Sequence, residues 1–432
     1  MQENTLNFFE KHHYNIRKNA LDYISEIADS LLADMDNGLC RKKSSQDMIL
    51  TYTNPPKEKI ISKSVIVIDA GGTNFRSCLV NFDELGKPKI SEPQKTKMPG
   101  IEKELSKKEF FDKIAQNLEH LKDKATSIGF CFSYPVKITQ EKDGILTAFG
   151  KEIKAPEVVG SYLGKELKLA LKEHGWKNDV KVVMLNDTVA ALLAGAADIQ
   201  DGKKYSSYIG FILGTGLNSA YIQKANSKYQ DFNEQIIVCE SGRFSGAPSC
   251  DFDDELDQKS DIPRTGLMEK KCSGAYLPQL CLLAIKTAAK EELFSKTLVP
   301  NLLEIQEISL KDTDLFLNFP YSTENLFGKL LNKFGNESDY IQLYEILDVL
   351  MDRCARLASA ILVANVIKSE EGKNPVQPIC ILCNGTTFYK TYKVKERIIA
   401  YLEELLVKKS YYYELLSVDD DITLGTAIAA LS

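Results

Sequence analysis

A turn that combines an acid with glycines, between two apolar runs, is the first group of residues that could do chemistry. Asp69 follows the apolar residues 65–68, and before the next apolar run come Gly71, Gly72, Thr73, Asn74 and Arg76. Glycines let backbone N–H groups approach an anion, Thr and Asn side chains add donors, and an Asp at a strand end can hold a metal ion through water. The turn therefore suits a nucleotide polyphosphate with Mg²⁺, although an ordinary hairpin turn has the same composition.

Three further carboxylates follow apolar runs or precede glycines. Asp187 ends the strand-like run 181–185 and starts the helical pattern of LNDTVAALLAG. An Asp in that position is often only an N-cap, but beside Asn186 at the carboxyl end of a strand it also suits a base that faces a substrate hydroxyl. Glu240 lies in VCESGRFSG and Glu269 in LMEKKCSG. A sugar site combines carboxylates and amides because hydroxyls both donate and accept. Either glutamate alone is more typical of a surface residue.

Other site chemistries find no support in the sequence. DFDDELDQKSDI resembles a calcium loop, but Leu256 stands where the turn needs Gly, and Ile262 where it needs a bidentate Glu. No Gly-Lys-Ser/Thr follows the first turn, which excludes a Walker loop, and there is no Gly-x-Ser-x-Gly elbow. Cys380 and Cys383 lie in a strand-like run and are interpreted as core cysteines. The histidines lie away from every glycine turn, which argues against a Ser–His hydrolase: His12, His13, His120 and His174.

Composition limits the class of protein and its partners. The chain has 432 residues, 44% of them hydrophobic, and a formal charge of -6 from 54 Lys and Arg against 60 Asp and Glu. No basic block offers contacts to a phosphate backbone, so nucleic acid is not expected as a partner. The longest apolar stretch, residues 358–367, is about half a membrane span and is predicted to be a buried helix. Ten irregularly spaced cysteines favour a reducing cytoplasm.

The elements that must position these residues alternate along the chain. Helical periodicity over residues 4–36 predicts one or two helices, and after it short apolar runs alternate with helical patterns, which predicts an α/β fold. Residues 206–222 repeat the plan of the first turn, so two related lobes with a ligand between them are expected. A third such turn is ILCNGTTFYK, and LGTAIAALS is predicted to be a closing helix. EKELSKKEF and KKSYYYELL are predicted to be solvated helix faces or loops.

In this order, from about Met48 to the C-terminus, the motifs resemble the hexokinase family of the actin-like ATPase superfamily. VIVIDAGGTNFR resembles its first phosphate motif, and GFCFSYP its sugar loop with Ser133. LNDTVAALLAG resembles the strand–helix motif of the catalytic base. GTGLNSAYI resembles the second phosphate motif, ESGRFSG and MEKKCSG resemble the segments of two sugar-binding glutamates, and CNGTTFYK resembles the turn on the adenosine side.

The resemblance implies an α/β fold of the two-lobed, actin-like (ribonuclease H-like) kind, with a cleft between a small and a large domain. The implied divisions are residues 1–61 as a helical lead-in on the large domain, 62–186 plus 419–432 as the small domain, and 187–418 as the large domain. The implied reaction transfers the γ-phosphoryl group of Mg-ATP to the 6-hydroxyl of a hexose, with glucose favoured and the product entering glycolysis. A cytoplasmic monomer or homodimer, without membrane or nucleic-acid partners, is expected.

The resemblance also assigns roles to residues. Asp187 is implied as the base, Lys151 as the charge that offsets the transferring group, and Asp69 as the acid that holds Mg²⁺ through water. The implied sugar ligands are Ser133, Asn186, Asn218, Glu240 and Glu269. The implied nucleotide ligands are Gly71, Gly72, Thr73, Asn74, Arg76, Thr215, Gly385 and Thr386, besides Asp69.

Three departures from the family pattern leave the sugar preference open. Gly150 stands in place of a threonine, Ser241 in place of a tryptophan and Asn384 in place of an Asp. The Cys-rich zinc motif of the sister family of bacterial sugar kinases does not occur in the sequence. Two other functions remain: a sugar sensor without catalysis, and a nucleotide-driven chaperone or filament protein, which has no reason to combine the sugar ligands.

Overall fold

Two β-sheets carry the motifs in the computed structural model, which describes residues 1–149, 153–197, 202–229 and 233–432. The strands are β1 (Ile49–Leu50), β2 (Lys63–Gly71), β3 (Asn74–Phe82), β4 (Pro88–Lys97), β5 (Ser127–Phe132), β6 (Val136–Ile138), β7 (Gly144–Leu146), β8 (Lys181–Leu185), β9 (Ser207–Leu213), β10 (Leu217–Gln223), β11 (Gln235–Val238), β12 (Ile379–Asn384) and β13 (Tyr413–Leu416). Within these residues, five strands form one sheet in the order β4-β3-β2-β5-β8, and six form another in the order β1-β11-β10-β9-β12-β13.

The helices surround both sheets. They are α1 (Glu3–Lys11), α2 (Ala20–Leu39), α3 (Lys107–Asn117), α4 (Leu163–Glu173), α5 (Asp187–Ala197), α6 (Asp251–Lys259), α7 (Leu267–Cys272), α8 (Leu277–Lys290), α9 (Val299–Glu304), α10 (Leu310–Asn318), α11 (Leu326–Phe334), α12 (Glu337–Ser369), α13 (Thr386–Lys390), α14 (Val394–Leu405) and α15 (Asp421–Leu431). The predicted buried helix is part of α12, in which residues 358–366 are buried and Ile367 is partly buried. Among the described helices, none combines the length and the hydrophobicity that a membrane span requires.

The continuous apolar run before Asp69 has a simple structural reason. Side chains of neighbouring residues in β2 point to opposite faces, and both faces of this strand are covered. Ile66 and Ile68 belong to one apolar core, while Val65 and Val67 belong to another. The strand is therefore apolar at every position from Val65 to Ile68, and Asp69 follows at the carboxyl end of the run.

Both glycine turns are hairpins, as the repeat predicted. In the β2–β3 hairpin Gly71 pairs with Asn74, and Gly72 in the two-residue turn has a φ of 55°, which glycine adopts without strain. In the β9–β10 hairpin Leu213 pairs with Leu217 across a three-residue turn. The third turn differs, because β12 is followed by α13 and not by a second strand of a hairpin.

Small residues allow α15 to pack closely against strands of the five-stranded sheet and against α5. A Cβ at Gly425 would lie 1.7 Å from the carbonyl oxygen of Ala190, and one at Gly129 would lie 2.4 Å from that of Thr426. Because α5 also packs on β9 and β12, these two helices connect the two sheets. The N-terminal helix α2 packs along α12.

One prediction from charge pattern was wrong. The segment KKSYYYELL was expected to be solvated helix face or loop, yet Tyr413–Leu416 forms β13, paired in parallel with β12. Its residues are only partly buried. An edge strand with one partner does not need strict alternation of polar and apolar residues, so its pattern resembled that of an exposed segment.

Candidate active site

A cleft of about 530 Å³ lies where segments from both sheets meet. It collects the residues that the sequence pointed to as sugar ligands and base, although they come from distant parts of the chain. Its lining includes Ser133, Asn186, Asp187, Asn218, Glu240 and Glu269. This mixture of hydroxyl, amide and carboxylate groups suits a ligand that carries several hydroxyls, because each hydroxyl can donate to one group and accept from another.

Asp187 opens α5 directly after β8, and its neighbour provides the helix cap. The backbone N–H of Thr188 donates to Oδ1 of Asn186 over 2.8 Å, so Asn186 is the capping residue. The interpretation of Asp187 as a mere N-cap therefore fails. The Asp187 carboxylate accepts from the Thr188 hydroxyl at 3.2 Å.

The environment of Asp187 favours the uncharged carboxyl. Burial raises the pKa of Asp187, and the hydrogen bonds from Thr188 oppose that rise. The negative charges of Asp69 and Asp421 raise it further, which places all three acids in one region of the molecule. A raised pKa brings a carboxylate closer to the range in which it accepts a proton readily from a substrate hydroxyl.

Asn218 holds Glu240 in a fixed orientation. Its Nδ2 donates to Oε1 of Glu240 over 2.9 Å, while its Oδ1 accepts the backbone N–H of Ser219 at 2.8 Å. Glu240 itself has a φ of 56° and a ψ of 48°, a left-handed backbone conformation that is uncommon outside glycine. Burial raises the pKa of Glu240 to about 6, and the hydrogen bond from Asn218 opposes the rise.

A buried polar network lies behind these two residues, and the sequence motifs did not identify it. The hydroxyls of Ser219 and Ser241 are 2.5 Å apart, and Nδ2 of Asn365 donates to the Ser219 hydroxyl over 2.9 Å. All three side chains are buried. Ser241, where the family has tryptophan, thus joins a hydrogen-bond network that fixes the start of the Glu240 loop. The one available signal was Asn365, a lone amide in an apolar helical run.

Glu269 reaches the cleft from α7. Its Oε2 accepts the backbone N–H of Leu217 at 2.9 Å, which ties it to the β9–β10 hairpin. A Cβ at Gly216 would approach the same oxygen to 3.0 Å. Burial raises the pKa of Glu269, and the Leu217 amide opposes the rise. The Leu217 amide therefore fixes the direction of the Glu269 carboxylate at the cleft.

The first hairpin pairs an acidic side chain with a positively charged one close to its turn. Asp69 and Arg76 stand opposite each other on β2 and β3, and Nη1 of Arg76 donates to Oδ2 of Asp69 over 2.7 Å. The hairpin also contacts the cleft, since a Cβ at Gly71 would lie 2.7 Å from Oγ of Ser133. Tyr134, which the sequence did not single out, donates its hydroxyl to the carbonyl of Gly72 over 2.6 Å.

The second hairpin packs against the turn after β12. Gly385 has a φ of 111°, and a Cβ there would lie 2.2 Å from the carbonyl oxygen of Leu213. The carbonyl of Gly214 accepts the Thr387 hydroxyl at 2.9 Å and the Gly274 N–H at 2.7 Å. Thr215 and Thr386 are exposed beside these contacts. The predicted nucleotide residues therefore form two groups next to the cleft and are not part of its lining.

The predicted charge-offsetting lysine and the predicted Mg²⁺ are the remaining features of the site. Lys151 and Gly150 lie outside the described residues. For Mg²⁺, the described residues contain no cluster of three or more potential ligands. Asp69, whose side chain is 20% exposed, fits the usual binding of Mg²⁺ through one or two carboxylates together with water and substrate phosphates.

Comparison with known proteins gives consistent similarities in sequence and in structure. Two hexokinase family models match residues 14–197 and 208–432. Hexokinase-7 of Oryza sativa subsp. japonica is 27% identical over 437 residues, covering 94% of this chain and 92% of that protein. Hexokinase-2 of the same plant is 28% identical over 369 residues, covering 78% of this chain and 72% of that protein.

Solved structures show the same fold. The hexokinase of Schistosoma mansoni complexed with glucose superposes with a TM-score of 0.75 at 24% identity, covering 99% of this chain and 100% of that one. A second crystal structure of a hexokinase gives a TM-score of 0.82 at 20% identity, with complete coverage of both chains. The two-lobed α/β architecture expected from the sequence is confirmed by these likenesses.

Proposed function

The chain belongs to the hexokinase family, and on that premise we propose how its cleft transfers the γ-phosphoryl group of ATP to the 6-hydroxyl of a hexose. The protein is a phosphotransferase that uses ATP to phosphorylate a hexose. One observation carries the assignment of residues: six side chains from distant motifs line a single cleft with complementary hydrogen-bonding groups, Ser133, Asn186, Asp187, Asn218, Glu240 and Glu269.

Asp187 is proposed as the base. It follows a strand at the carboxyl edge of the five-stranded sheet, its neighbour Asn186 caps the helix, and burial raises its pKa toward the working range of a proton acceptor. Phosphoryl transfer needs little covalent help from the protein, so the main contributions are alignment of the hydroxyl and removal of its proton as the bond forms. A carboxylate at the position of Asp187 can both align the hydroxyl and accept its proton.

Asn218, Glu240 and Glu269 are proposed to select the sugar. Each of these side chains already holds a backbone or side-chain partner, which fixes its direction before a ligand arrives. Preorganised acceptors discriminate well against compounds that lack a matching hydroxyl, because a buried carboxylate left without a donor is costly. Ser133 and the amide of Asn186 complete the proposed sugar ligands, and we propose glucose as the favoured hexose.

The two hairpin turns are proposed to hold the phosphates of ATP. Backbone N–H groups of the turns, the side chains of Thr73 and Asn74, and the guanidinium of Arg76 supply donors and positive charge next to the cleft. When bound, Mg²⁺ held by Asp69 through water would neutralise charge on the phosphates. Lys151, outside the described residues, is proposed to offset charge on the transferring group. The remaining proposed nucleotide ligands are Gly71, Gly72, Thr215, Gly385 and Thr386.

The domain limits remain those expected from the sequence. We propose residues 62–186 plus 419–432 as the small domain, 187–418 as the large domain and 1–61 as a lead-in on the large one. The close contact between α5 and α15 supports this division, because these helices join the two sheets. Closure of the lobes around the sugar would exclude water as a competing acceptor.

A cytoplasmic location and a monomeric or homodimeric state are proposed as well. None of the ten cysteines, all of which lie within the described residues, forms a disulfide bond, which suits a reducing compartment. The net charge of -6 gives no reason to expect nucleic acid as a partner.

An assay of ADP release separates this proposal from its two alternatives. ADP release is measured with glucose, fructose, mannose, glucosamine and N-acetylglucosamine, and the phosphorylated product is identified by nuclear magnetic resonance. We expect sugar-stimulated release with glucose favoured and phosphate on the 6-oxygen. A sugar sensor would bind sugar without release, and a chaperone or filament ATPase would release ADP without sugar; either result refutes the proposal.

A further inference from the structure

A partly buried hydrogen bond joins the six-stranded sheet to α15 near the turn of the proposed nucleotide ligands Gly385 and Thr386. Asn384 is the last residue of β12, and Asp421 is the first residue of α15. Nδ2 of Asn384 donates to Oδ2 of Asp421 over 2.5 Å. Only 8% of Asp421 is exposed, so the charge-assisted bond is largely shielded from water and is stronger than one on the surface.

The Asp421 carboxylate is anchored to elements of the five-stranded sheet. Its Oδ1 accepts the N–H of Ile422 at 2.7 Å, at the N-terminus of α15, where a negative charge is favoured. The helix behind it packs on β2, β5 and β8. Its position is set by the absence of side chains at Gly425 and Gly129, as described above. Asp421 therefore begins a helix that packs against the strand that carries Asp69.

The chemistry of the pair determines how the amide of Asn384 is oriented. An ionised carboxylate only accepts, so the NH₂ group must face Asp421 and the carbonyl oxygen must face the opposite way. The next residue is Gly385. A Cβ there would lie 2.2 Å from the carbonyl oxygen of Leu213, so this position has no room for a side chain. Because Asn384 directly precedes Gly385, a fixed orientation of Asn384 also constrains the start of the turn at Gly385 and Thr386.

Keeping a carboxylate at position 421 is unfavourable without such a partner. Burial raises the pKa of Asp421, the hydrogen bond from Asn384 opposes that rise, and the charges of Asp420 and Asp69 add to it. A buried acid near other acids is stable as an anion only while its donors remain in place. Asn384 stands where the family pattern has an acid. Its amide therefore removes one negative charge from this region and supplies the hydrogen-bond donor to Asp421.

We infer that Asp421 is a positioning residue for the nucleotide, which holds the turn at Gly385 and Thr386 in register with the β2–β3 phosphate hairpin through Asn384. The inference rests on the proposed nucleotide role of this turn. It assigns no contact with ATP to Asp421 itself. The effect of Asp421 is therefore on nucleotide affinity and alignment, and not on recognition of the sugar.

Binding of a non-hydrolysable ATP analogue, measured by calorimetry, tests the inference without relying on turnover. Asp421→Ala is expected to weaken binding of the analogue and to raise the KM for ATP by about tenfold or more, the effect of losing a charge-assisted hydrogen bond. The KM for hexose should change by less than about twofold, since sites without shared partners are nearly independent. Asp420→Asn is the matched control: it removes an exposed neighbouring charge and should bind the analogue like the wild type.

An exchange of the two partners keeps the test decisive if Asp421→Ala fails to fold. Asn384→Asp places two carboxylates against each other and should weaken binding of the analogue strongly. Asn384→Asp with Asp421→Asn restores an amide–carboxylate pair in reverse order and should recover at least about tenfold of that loss. The inference is overturned if the double variant recovers no affinity for the analogue. It is also overturned if Asp421→Ala weakens hexose binding as much as nucleotide binding. Absence of hexose-stimulated ADP release by the wild type would refute the proposed function instead.

Discussion

Nδ2 of Asn218 and Oε1 of Glu240 are joined by a 2.9 Å hydrogen bond, so an amide on β10 directs a carboxylate that follows β11. The backbone of Glu240 is in a left-handed conformation, and the serine network beneath Ser241 holds it there. Such strain at one residue persists only when the surrounding contacts over-determine it. The Glu240 side of the sugar cleft is therefore rigid before a ligand binds.

The raised pKa of Glu240 predicts a specific dependence of stability on pH. Its pKa rises through burial from 4.5 to about 6, so the folded state binds this proton more tightly than the unfolded state does. The stabilisation from this group is therefore complete below pH 4.5 and is lost as the pH rises from 4.5 to about 6. The free energy of unfolding of Glu240→Gln should not show this decrease with rising pH.

Urea unfolding of both proteins across that pH range measures the effect. The free energy of unfolding of the wild type should fall relative to that of Glu240→Gln as the pH increases. Parallel curves would show that Glu240 titrates with the same pKa in the folded and unfolded states. Hexose affinity gives a second readout, because the ionised carboxylate is the better acceptor and binding should strengthen over the same range.

Asp69→Asn tests the proposed magnesium ligand. The substitution keeps the size of the side chain and a partner for Arg76, but it removes the negative charge. We expect the Mg²⁺ concentration for half-maximal turnover to rise by about tenfold or more, a typical effect of weakening a metal site. The apparent affinity for Mg-ATP, measured by calorimetry, should fall in parallel, while hexose binding stays close to that of the wild type. An unchanged magnesium requirement would remove Asp69 from this role.

Gly71→Ala tests the contact between the phosphate hairpin and the sugar loop. The new Cβ would lie 2.7 Å from both Cβ and Oγ of Ser133, so one of the two segments must move. Overpacking of this kind costs roughly 1–3 kcal/mol, and we expect the KM for hexose to rise by about tenfold. Ser133→Ala is the control that removes the hydroxyl without the clash. A normal KM for hexose in Gly71→Ala would show that Ser133 does not bind the sugar.

Local sequence was sufficient for much of the architecture. Both hairpins, the helices at the two ends and the buried helix at residues 358–367 follow from periodicity and glycine placement, which are properties of neighbouring residues. The strand Tyr413–Leu416 was missed because an edge position relaxes the pattern that identifies a strand. The sequence placed the possible N-cap of α5 at Asp187, one residue after the observed cap. Asn and Asp are equally good caps, and only the structure shows that Asn186 accepts the Thr188 N–H.

The sequence motifs did not predict the residues that hold the side chains of the cleft in place. Ser219 and Asn365 are 146 positions apart, and nothing in the local sequence indicates that they share a hydrogen bond. The partnership of Asn384 and Asp421 is likewise a tertiary contact, between residues 37 positions apart. Residue types predicted the polar groups that line the cleft, because the chemistry of a sugar site limits the choice of side chains. The groups that hold them in place depend on packing, which a single sequence does not reveal.

The most direct measurement compares turnover and hexose binding in Asp187→Ala and the wild type. If Asp187 accepts the proton of the sugar hydroxyl, turnover should fall at least about a hundredfold, the usual loss for a positioned base. Hexose should still bind, since Asn218, Glu240 and Glu269 keep their own partners. Near-normal turnover in Asp187→Ala, with hexose bound, would contradict the account.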